Sequence, residues 1–442
     1  MALPASENFI TLLSFPRAIV HVDCDAFFTS CETARDPGLK GKPLATGQER
    51  GIVSCPSYEA KAAGVKRGMR LGDARRACPG LIIMPSDYEL YSIYSERIFA
   101  IIRRFTPDVE EYSIDEAFCD ITGLRRIYRS SYGDIARRIK EDIRKELNLT
   151  VSVGLSLSKS LAKVCSKQNK PDGFCAVPGY QLHIFLAKVP LERVCGFGPN
   201  TVALLQKYNI RTILDFVQRP MSFAQRLLGK TGVELWQELR GIAVYPLVTD
   251  SKHMYATISK TKTFSPASND RDFVKAQLMR NLESAFIKLR RHGLACRNLT
   301  VYLRRSDFSS MGLEGRINRH SSSTLDFTAL CGRLFDEVFE PSRMYRSTGV
   351  ILSDISEQGR DSADLFDDPV RVERVARVSI AVDEINSMYG KHTVHLAASH
   401  YVACKAHHPR NCASWRKTEL LKGETSRQRL NIPLLKIGVR NI

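Results

Sequence analysis

"EEYSIDEAFCD", residues 110–120, carries five acidic residues in eleven, and two of them, Asp115 and Glu116, are adjacent. In a flat strand, neighbouring side chains point to opposite faces. Two carboxylates side by side among Ile114, Ala117 and Phe118, all suited to burial, allow two readings. One is a strand leaving a core into a polar turn. The other is a metal site at a strand end or tight turn, where both carboxylates converge. The rest of the chain has to decide between them.

A third carboxylate, Asp23, ends the apolar run "AIVHVD", about ninety residues upstream. Three carboxylates from two adjacent strands could hold a pair of hard cations. Mg²⁺ prefers oxygen ligands and shares them with substrate phosphates. Two such ions can activate an attacking hydroxyl and stabilise the leaving oxygen of an in-line displacement. Asp25 would share the face of Asp23 in a regular strand, as a fourth ligand or as the cap of the next turn. "DAFFTSCE" puts Phe27 and Phe28 after the first Asp pair, where they could floor a nucleotide pocket. "SYEAKAAGVK" offers Tyr58 and Lys61 one helical turn apart, and "SKQNKPDG" sets Lys167 and Lys170 before a turn. Each cluster alone reads equally as a solvated surface; together they supply metals, triphosphate cations and a base platform.

The 442 residues allow roughly three domains. A hydrophobic share of 43% is that of an ordinary globular protein. The net charge of +18 and pI near 9.4 point to a polyanionic partner, nucleic acid before an anionic membrane. No apolar run approaches a bilayer span, and the N-terminus lacks a secretory signal. The twelve cysteines are scattered, mostly in apolar segments, as expected of reduced thiols in a cytoplasmic protein.

Periodicity predicts a buried strand in 17–28, a strand and short helix in 51–69, and a strand at 81–85. Ser86 and Glu89 suggest a capping box opening a helix with the stripe Leu90, Ile93, Tyr94, Ile101 and Ile102. Ile135, Ile139, Ile143 and Leu147 line one face of another helix. "LTVSVGLSLS" (149–158) alternates as a half-buried strand. Residues 17–180 form one mixed α/β unit; short helices follow from Pro190 to about Gly241. A polar, basic linker and exposed strand lead to a long helix at 273–292. Strands "NLTVYLRR" and "STGVILSDI" flank a helix near 327–339, a second, α+β domain. Residues 361–442 look less regular and end basic.

These motifs resemble the Y-family DNA polymerases, which copy damaged templates. The matching stretches are "HVDCDAFFTSCE" (21–32), "SYEAKAAGVKRGM" (57–69), "YELYSIYSERI" (88–98), "EEYSIDEAFCDITG" (110–123), "VSVGLSLSKSLAKVCSKQNKPDG" (151–173) and "VCGFGPNTVALLQKYNIRTI" (194–213). They occur in the family's order and spacing, and the resemblance covers about 17–360. It implies a right-hand architecture: palm at 17–27 and 88–178, fingers at 28–87, and a helical thumb with a helix-hairpin-helix at 179–246. A linker at 247–256, an α+β little finger at 257–358 and a C-terminal tail at 359–442 complete it. It implies that Asp23, Asp115 and Glu116 hold two Mg²⁺ ions, with the Cys24 carbonyl completing one shell. Phe28 takes the steric-gate position beneath the sugar, beside Phe27. Tyr58, Lys61 and Lys170 meet the incoming dNTP. The polymerase IV (DinB) branch has Arg where Lys61 stands, and Lys lacks the bidentate fork. The UmuC branch has Lys there, whereas Tyr58 looks like polymerase IV. In the family the adjacent acidic pair lies at a tight β-turn, where alternation fails. Ser54, Cys55 and Pro56 over the nascent pair fit an open pocket able to admit a damaged base.

For primer-template DNA, Gly196 and Gly198 in "GFGPNT" read as a helix-hairpin-helix turn offering backbone N–H groups to a phosphate, or as a plain αα-corner. "TISKTKTF" places Lys260 and Lys262 on an exposed strand that tracks a DNA backbone, or on an ordinary edge strand protected by Lys. Arg304 lies on a later strand. "DSADLFDD" (361–368) resembles the peptide with which bacterial polymerases hook a sliding clamp through residues 362–366. Leu365 and Phe366 are its anchors, with Ser362 where Gln is usual; the other reading is an exposed linker. "SMYGKHTVHLAA" and the basic tail resemble the end of UmuC, which suggests a UmuD-like subunit or DNA as partner. Cys404, His407, His408 and Cys412 have spacings that could hold Zn²⁺ but lack a second Cys-x-x-Cys half. The expected activity is that of a DNA-directed DNA polymerase acting in damage tolerance. The rivals are a non-catalytic DNA-binding relative and a palm-fold nucleotidyl cyclase.

Overall fold

The computed structural model describes residues 10–11, 13–249, 255–358, 368–390 and 392–404. The chain divides into two units, Met1–Ser251 and Lys252–Ile442.

In the first unit the apolar run forms β1 (Ile19–Cys24), buried at every position. Ala26, in the left-handed region, turns the chain into α1 (Phe27–Arg35). A small layer follows. β2 (Leu44–Thr46), β3 (Cys55–Pro56) and β4 (Ile82–Met84) pair in the order β3-β2-β4, with α2 (Tyr58–Ala62) and α3 (Leu71–Ala77) in the connections. The chain then returns through α4 (Tyr88–Arg103), β5 (Val109–Glu111), β6 (Glu116–Asp120), α5 (Arg125–Tyr128), α6 (Tyr132–Leu147), β7 (Val151–Ser156), α7 (Lys159–Ser166) and β8 (Phe174–Ala176). The main sheet has the order β5-β6-β1-β7-β8. β1 lies at its centre, antiparallel to both neighbours, with Asp23 opposite Glu116 and Ser152.

The helices explain why this sheet is buried on both faces. The predicted stripe of α6, Ile135, Ile139, Ile143 and Leu147, packs with α4 onto Val20, Val22, Val151 and Val153. α7 covers the opposite face. It comes so close that a Cβ on Gly154 would sit 2.1 Å from the Ala162 carbonyl oxygen. β7 is therefore fully buried, not half-buried as its alternation suggests; its small residues make room for a helix rather than meeting water. The cap of α4 also differs by one residue. Asp87, not Ser86, accepts the Leu90 N–H at 3.1 Å, while the Ser86 N–H donates to Glu49. The buried face is accordingly Tyr91, Ser95, Ile98, Phe99, Ile101 and Ile102; Leu90, Ile93 and Tyr94 are only half-buried. Beyond β8 come α8 (Leu182–Leu186), α9 (Pro199–Lys207), α10 (Ile213–Val217) and α11 (Met221–Leu239), around Leu186, Leu205, Phe216 and Leu239.

The second unit contains β9 (Ile258–Ser268), α12 (Arg271–Arg291), β10 (Leu294–Arg305), β11 (Ser310–Ser321), α13 (Thr324–Val338) and β12 (Tyr345–Glu357). Its antiparallel sheet has the order β11-β10-β12-β9. The predicted stripe of α12 packs with α13 on one face of it. β11 is an exposed edge strand that the reading above lacks, because glycines and charges replace an apolar alternation. The tail also carries structure where irregularity was expected: α14 (Pro369–Tyr389) and α15 (Ala397–Cys404). Arg290 holds Asp383 of α14 by two bonds, of 2.6 and 2.8 Å. No helix among the described residues is long and apolar enough to cross a membrane.

Candidate active site

The turn at 112–115 answers why two carboxylates are adjacent. The N–H groups of Tyr112 and Ser113 both donate to the Glu116 carbonyl, at 3.1 and 3.0 Å, so pleating begins only at Glu116. Asp115 stays in the turn; its carbonyl accepts the Cys24 N–H at 2.9 Å and ties the end of β1 to it. His21 and Asp23, two apart on β1, share the α7-facing side with Glu116. A ligand atom from each of the three lies within 4.8 Å of the others. The structure thus brings Asp23 and Glu116 together. The Asp115 carboxylate lies beside that cluster and accepts the Ser113 hydroxyl at 2.5 Å. The Cys24 thiol is buried, and burial pushes it well above its ordinary range.

Two ammonium groups reach these acids. Lys163 of α7 donates to Glu116 at 2.7 Å, and Lys170 pairs with Asp23. Burial nevertheless pushes the Asp23 carboxyl up to about 6; Lys170 pulls it down, and the charges of Glu116 and Asp115 push it up again. Burial also pulls Lys163 down, but its bond to Glu116 outweighs this and holds it above the usual lysine range. His21 is kept well below its ordinary value by burial, then by Lys163, Lys170 and Lys167, so it is neutral. Its Nδ1 meets Ser166 Oγ at 2.7 Å and its Nε2 is buried without a partner. The clustered oxygens of buried Asp23 and half-buried Glu116 are a donor set that fits divalent cations.

Asp25 is not a member of this cluster. Its buried carboxylate accepts Ser152 Oγ at 2.8 Å, the Asp172 N–H at 2.7 Å and Tyr58 Oη at 3.4 Å. It caps the Lys170–Gly173 turn, which includes a cis Lys170–Pro171 bond, rather than the turn next to it in sequence. The Lys61 ammonium lies 4.1 Å from the Tyr58 ring centre, so these predicted phosphate contacts are neighbours. Phe28 and Phe27 part company: Phe27 is 2% exposed, in the core, and cannot floor a pocket. Phe28 stacks on Tyr91 at 4.4 Å and 11°, and Tyr91 Oη donates to Glu32 at 2.8 Å.

At the hairpin, Gly196 takes φ +104° and Gly198 precedes α9, while the buried Phe197 packs edge-on against Phe216. On β9 the lysines and the hydroxyls take opposite sides. Lys260 and Lys262 share parity with the buried Ile258 and Phe264, on the helix side of an edge strand. Burial, and the charges of Lys288 and Arg291 on α12, lower the Lys260 ammonium. The hydroxyls of Ser259, Thr261 and Thr263 take the open face. Arg304 is exposed there and donates to the Phe308 carbonyl at 3.1 Å. Leu365, Phe366, His407, His408 and Cys412 lie outside the described residues. Lys163, His21 and Tyr91 are residues of this region beyond those expected from the sequence; the "SLAKVCSKQNK" run carries the first, but only the packing of α7 gives it a partner.

Residues 22–167 match the impB/mucB/samB family, and residues 256–365 its C-terminal domain. A DNA polymerase IV of Moorella thermoacetica is 33% identical over 393 residues, which is 88% of this chain and 97% of that protein. A DNA polymerase IV of Halorhodospira halophila is 33% identical over 353 residues, 79% of this chain and 98% of its own. The chain belongs to the Y family of DNA polymerases. The fold of this polymerase agrees with solved structures. A Y-family DNA polymerase chimera superposes with TM-score 0.67 at 24% identity, covering 77% of this chain and all of that one. DinB from Sulfolobus solfataricus gives 0.51 at 24% identity, over 77% of this chain and 100% of that one. Its mixed architecture is that of a palm, thumb and little finger. The polymerase is a DinB-like, template-directed translesion enzyme, and its family is metal-dependent. Neither the nucleotidyl cyclase nor the non-catalytic relative is favoured.

Proposed function

We propose that this polymerase joins a deoxynucleotide to a primer 3′-hydroxyl at the Asp23–Glu116 cluster, with two Mg²⁺ ions held by Asp23, Asp115, Glu116 and the Cys24 carbonyl. Such ions, when bound, supply Lewis-acid charge at the attacking and leaving oxygens. The residues do the positioning. Asp23 and Glu116 face each other across β1 and β6 at the centre of a sheet buried on both faces, so their oxygens move little. This juxtaposition carries the reading. Lys163 stays on Glu116 and holds its rotamer. Tyr58, Lys61 and Lys170 receive the triphosphate. Phe28, backed by Tyr91, sits under the sugar and excludes a 2′-hydroxyl. Asp115 would turn from Ser113 to the metals, a side-chain rotation that leaves the turn's backbone bonds intact.

The palm would comprise 17–27 and 88–178, the fingers 28–87, the thumb 179–246 and the little finger 257–358, with a linker between the last two at 247–256. Gly196 and Gly198 would offer backbone N–H groups to one DNA strand. Lys260 and Lys262, joined by Lys288 and Arg291, would meet phosphates from the edge of the second sheet, and Arg304 from its open face. Clamp binding through 362–366, a UmuD-like subunit and a cytoplasmic location complete the proposal. Primer extension by Asp23→Asn tests its centre. Loss of incorporation with primer-template binding intact is expected; extension at the wild-type rate would sink it.

A further inference from the structure

The two lysines on the palm carboxylates are held in unlike ways. Lys163 is mid-helix and 7% exposed, with Glu116 on one side and the Tyr112 ring 4.2 Å from its ammonium. Lys170 stands at the end of a turn, its side chain 24% exposed, paired with Asp23 and 3.9 Å from Asp25 Oδ1. The turn beneath it is pinned. The Asp172 N–H donates to Asp25 at 2.7 Å, and Lys140 grips both the Asp172 carbonyl and its carboxylate at 2.5 Å. The backbone is therefore fixed while a flexible four-carbon stem swings from it.

Lys170 cannot do two things at once. An ammonium on Asp23 occupies the oxygens a metal needs, and its like charge repels that metal at close range. We infer that Lys170 is a displaceable counter-ion: it rests on Asp23 in the metal-free enzyme, and a divalent cation entering at Asp23 releases it toward the triphosphate. This rests on Asp23 being a metal ligand, as proposed above. Lys163 has no such exit and keeps Glu116 throughout. Metal entry and the grip on phosphate are then linked in both directions, because whatever favours the swung-out lysine favours the metal.

The test is Mn²⁺ binding by full-length protein, without DNA or nucleotide, read as loss of the free-ion paramagnetic resonance signal. Lys170→Met should bind Mn²⁺ about tenfold more tightly than wild type. Lys167→Met, which removes the same charge three residues away, should change affinity by no more than about twofold. Lys170→Arg, which restores a cation, should return affinity toward wild type. In parallel, the KM for a dNTP should rise in Lys170→Met. Lys170→Gln serves the same purpose if the methionine variant does not fold. Equal tightening by the Lys170 and Lys167 variants overturns the counter-ion, leaving Lys170 a triphosphate contact alone. Asp23→Asn separates the two layers. If it abolishes Mn²⁺ binding while Lys170→Met has no effect, only the counter-ion falls; if it leaves Mn²⁺ binding unchanged, the metal site falls and takes the counter-ion with it.

Discussion

The two sheets of this enzyme handle charge in opposite ways. In the first unit, β1 and β7 are buried on both faces, and several charges there face an opposite charge across a short distance: Lys163 with Glu116, Lys170 with Asp23, Lys159 with Glu110 at 2.6 Å. In the second unit, helices cover one face only, and β10 alternates between buried apolar and half-exposed polar residues. Its cations are spread along edges and the open face. Buried charges interact strongly and tolerate no missing partner, whereas solvated ones contribute little each and act by number. Chemistry belongs on the first kind of surface, and sequence-independent grip on a polyanion belongs on the second.

Substitutions should follow that division. Asp23→Asn should cut single-nucleotide incorporation by on the order of a thousandfold or more, measured in rapid-quench assays. Lys163→Met strands Glu116 and should cost about 3 kcal/mol in denaturant unfolding. Adding Glu116→Gln should recover part of that loss; strict additivity would mean the pair is not coupled. Phe28→Ala should weaken discrimination against ribonucleotides by on the order of a hundredfold, and unchanged sugar selectivity would remove Phe28 from the gate. A pH effect is of comparable size. The carboxyl of Asp23 ionises near 6 in the folded, metal-free protein, against an ordinary 3.8, so the folded state holds its proton more tightly. The resulting penalty is absent below the ordinary value and fully present above about 6. In chelator, the stability advantage of Asp23→Asn over wild type should therefore grow between these limits, by about 3 kcal/mol. Least of all, Lys262→Ala should weaken primer-template binding only a few-fold and lower the salt slope by about one, whatever the sequence. A large loss there would place the second sheet among surfaces of the first kind.

The sequence revealed the parts governed by local pattern. Apolar spacing located β1, α6 and α12, because a buried face imposes its period on the residues that form it. The carboxylates were legible through the family's motif spacing, and their adjacency through the turn it implies. What escaped depends on contacts across the fold. Lys163 meets Glu116 only because Gly154 lets α7 lie close to the sheet. Asp25 looked like a ligand or a local cap, and its partner turn is 147 residues away. Phe27 and Phe28 look alike in sequence, and helix rotation alone sends one into the core. β11 and α14 lack a clean apolar face, so periodicity had nothing to register. On β9 the lysines were found, but their side of the strand follows from Ile258 and Phe264 being buried.

Asp25 has one more consequence. It moors the Tyr58 hydroxyl, from the small layer, and the Asp172 amide, from the loop that carries Lys170. Two walls of the proposed nucleotide site thus share a single fastening. Loosening one to accommodate a bulkier substrate slackens the other, so breadth of acceptance and firmness of hold vary together in this enzyme as one trait.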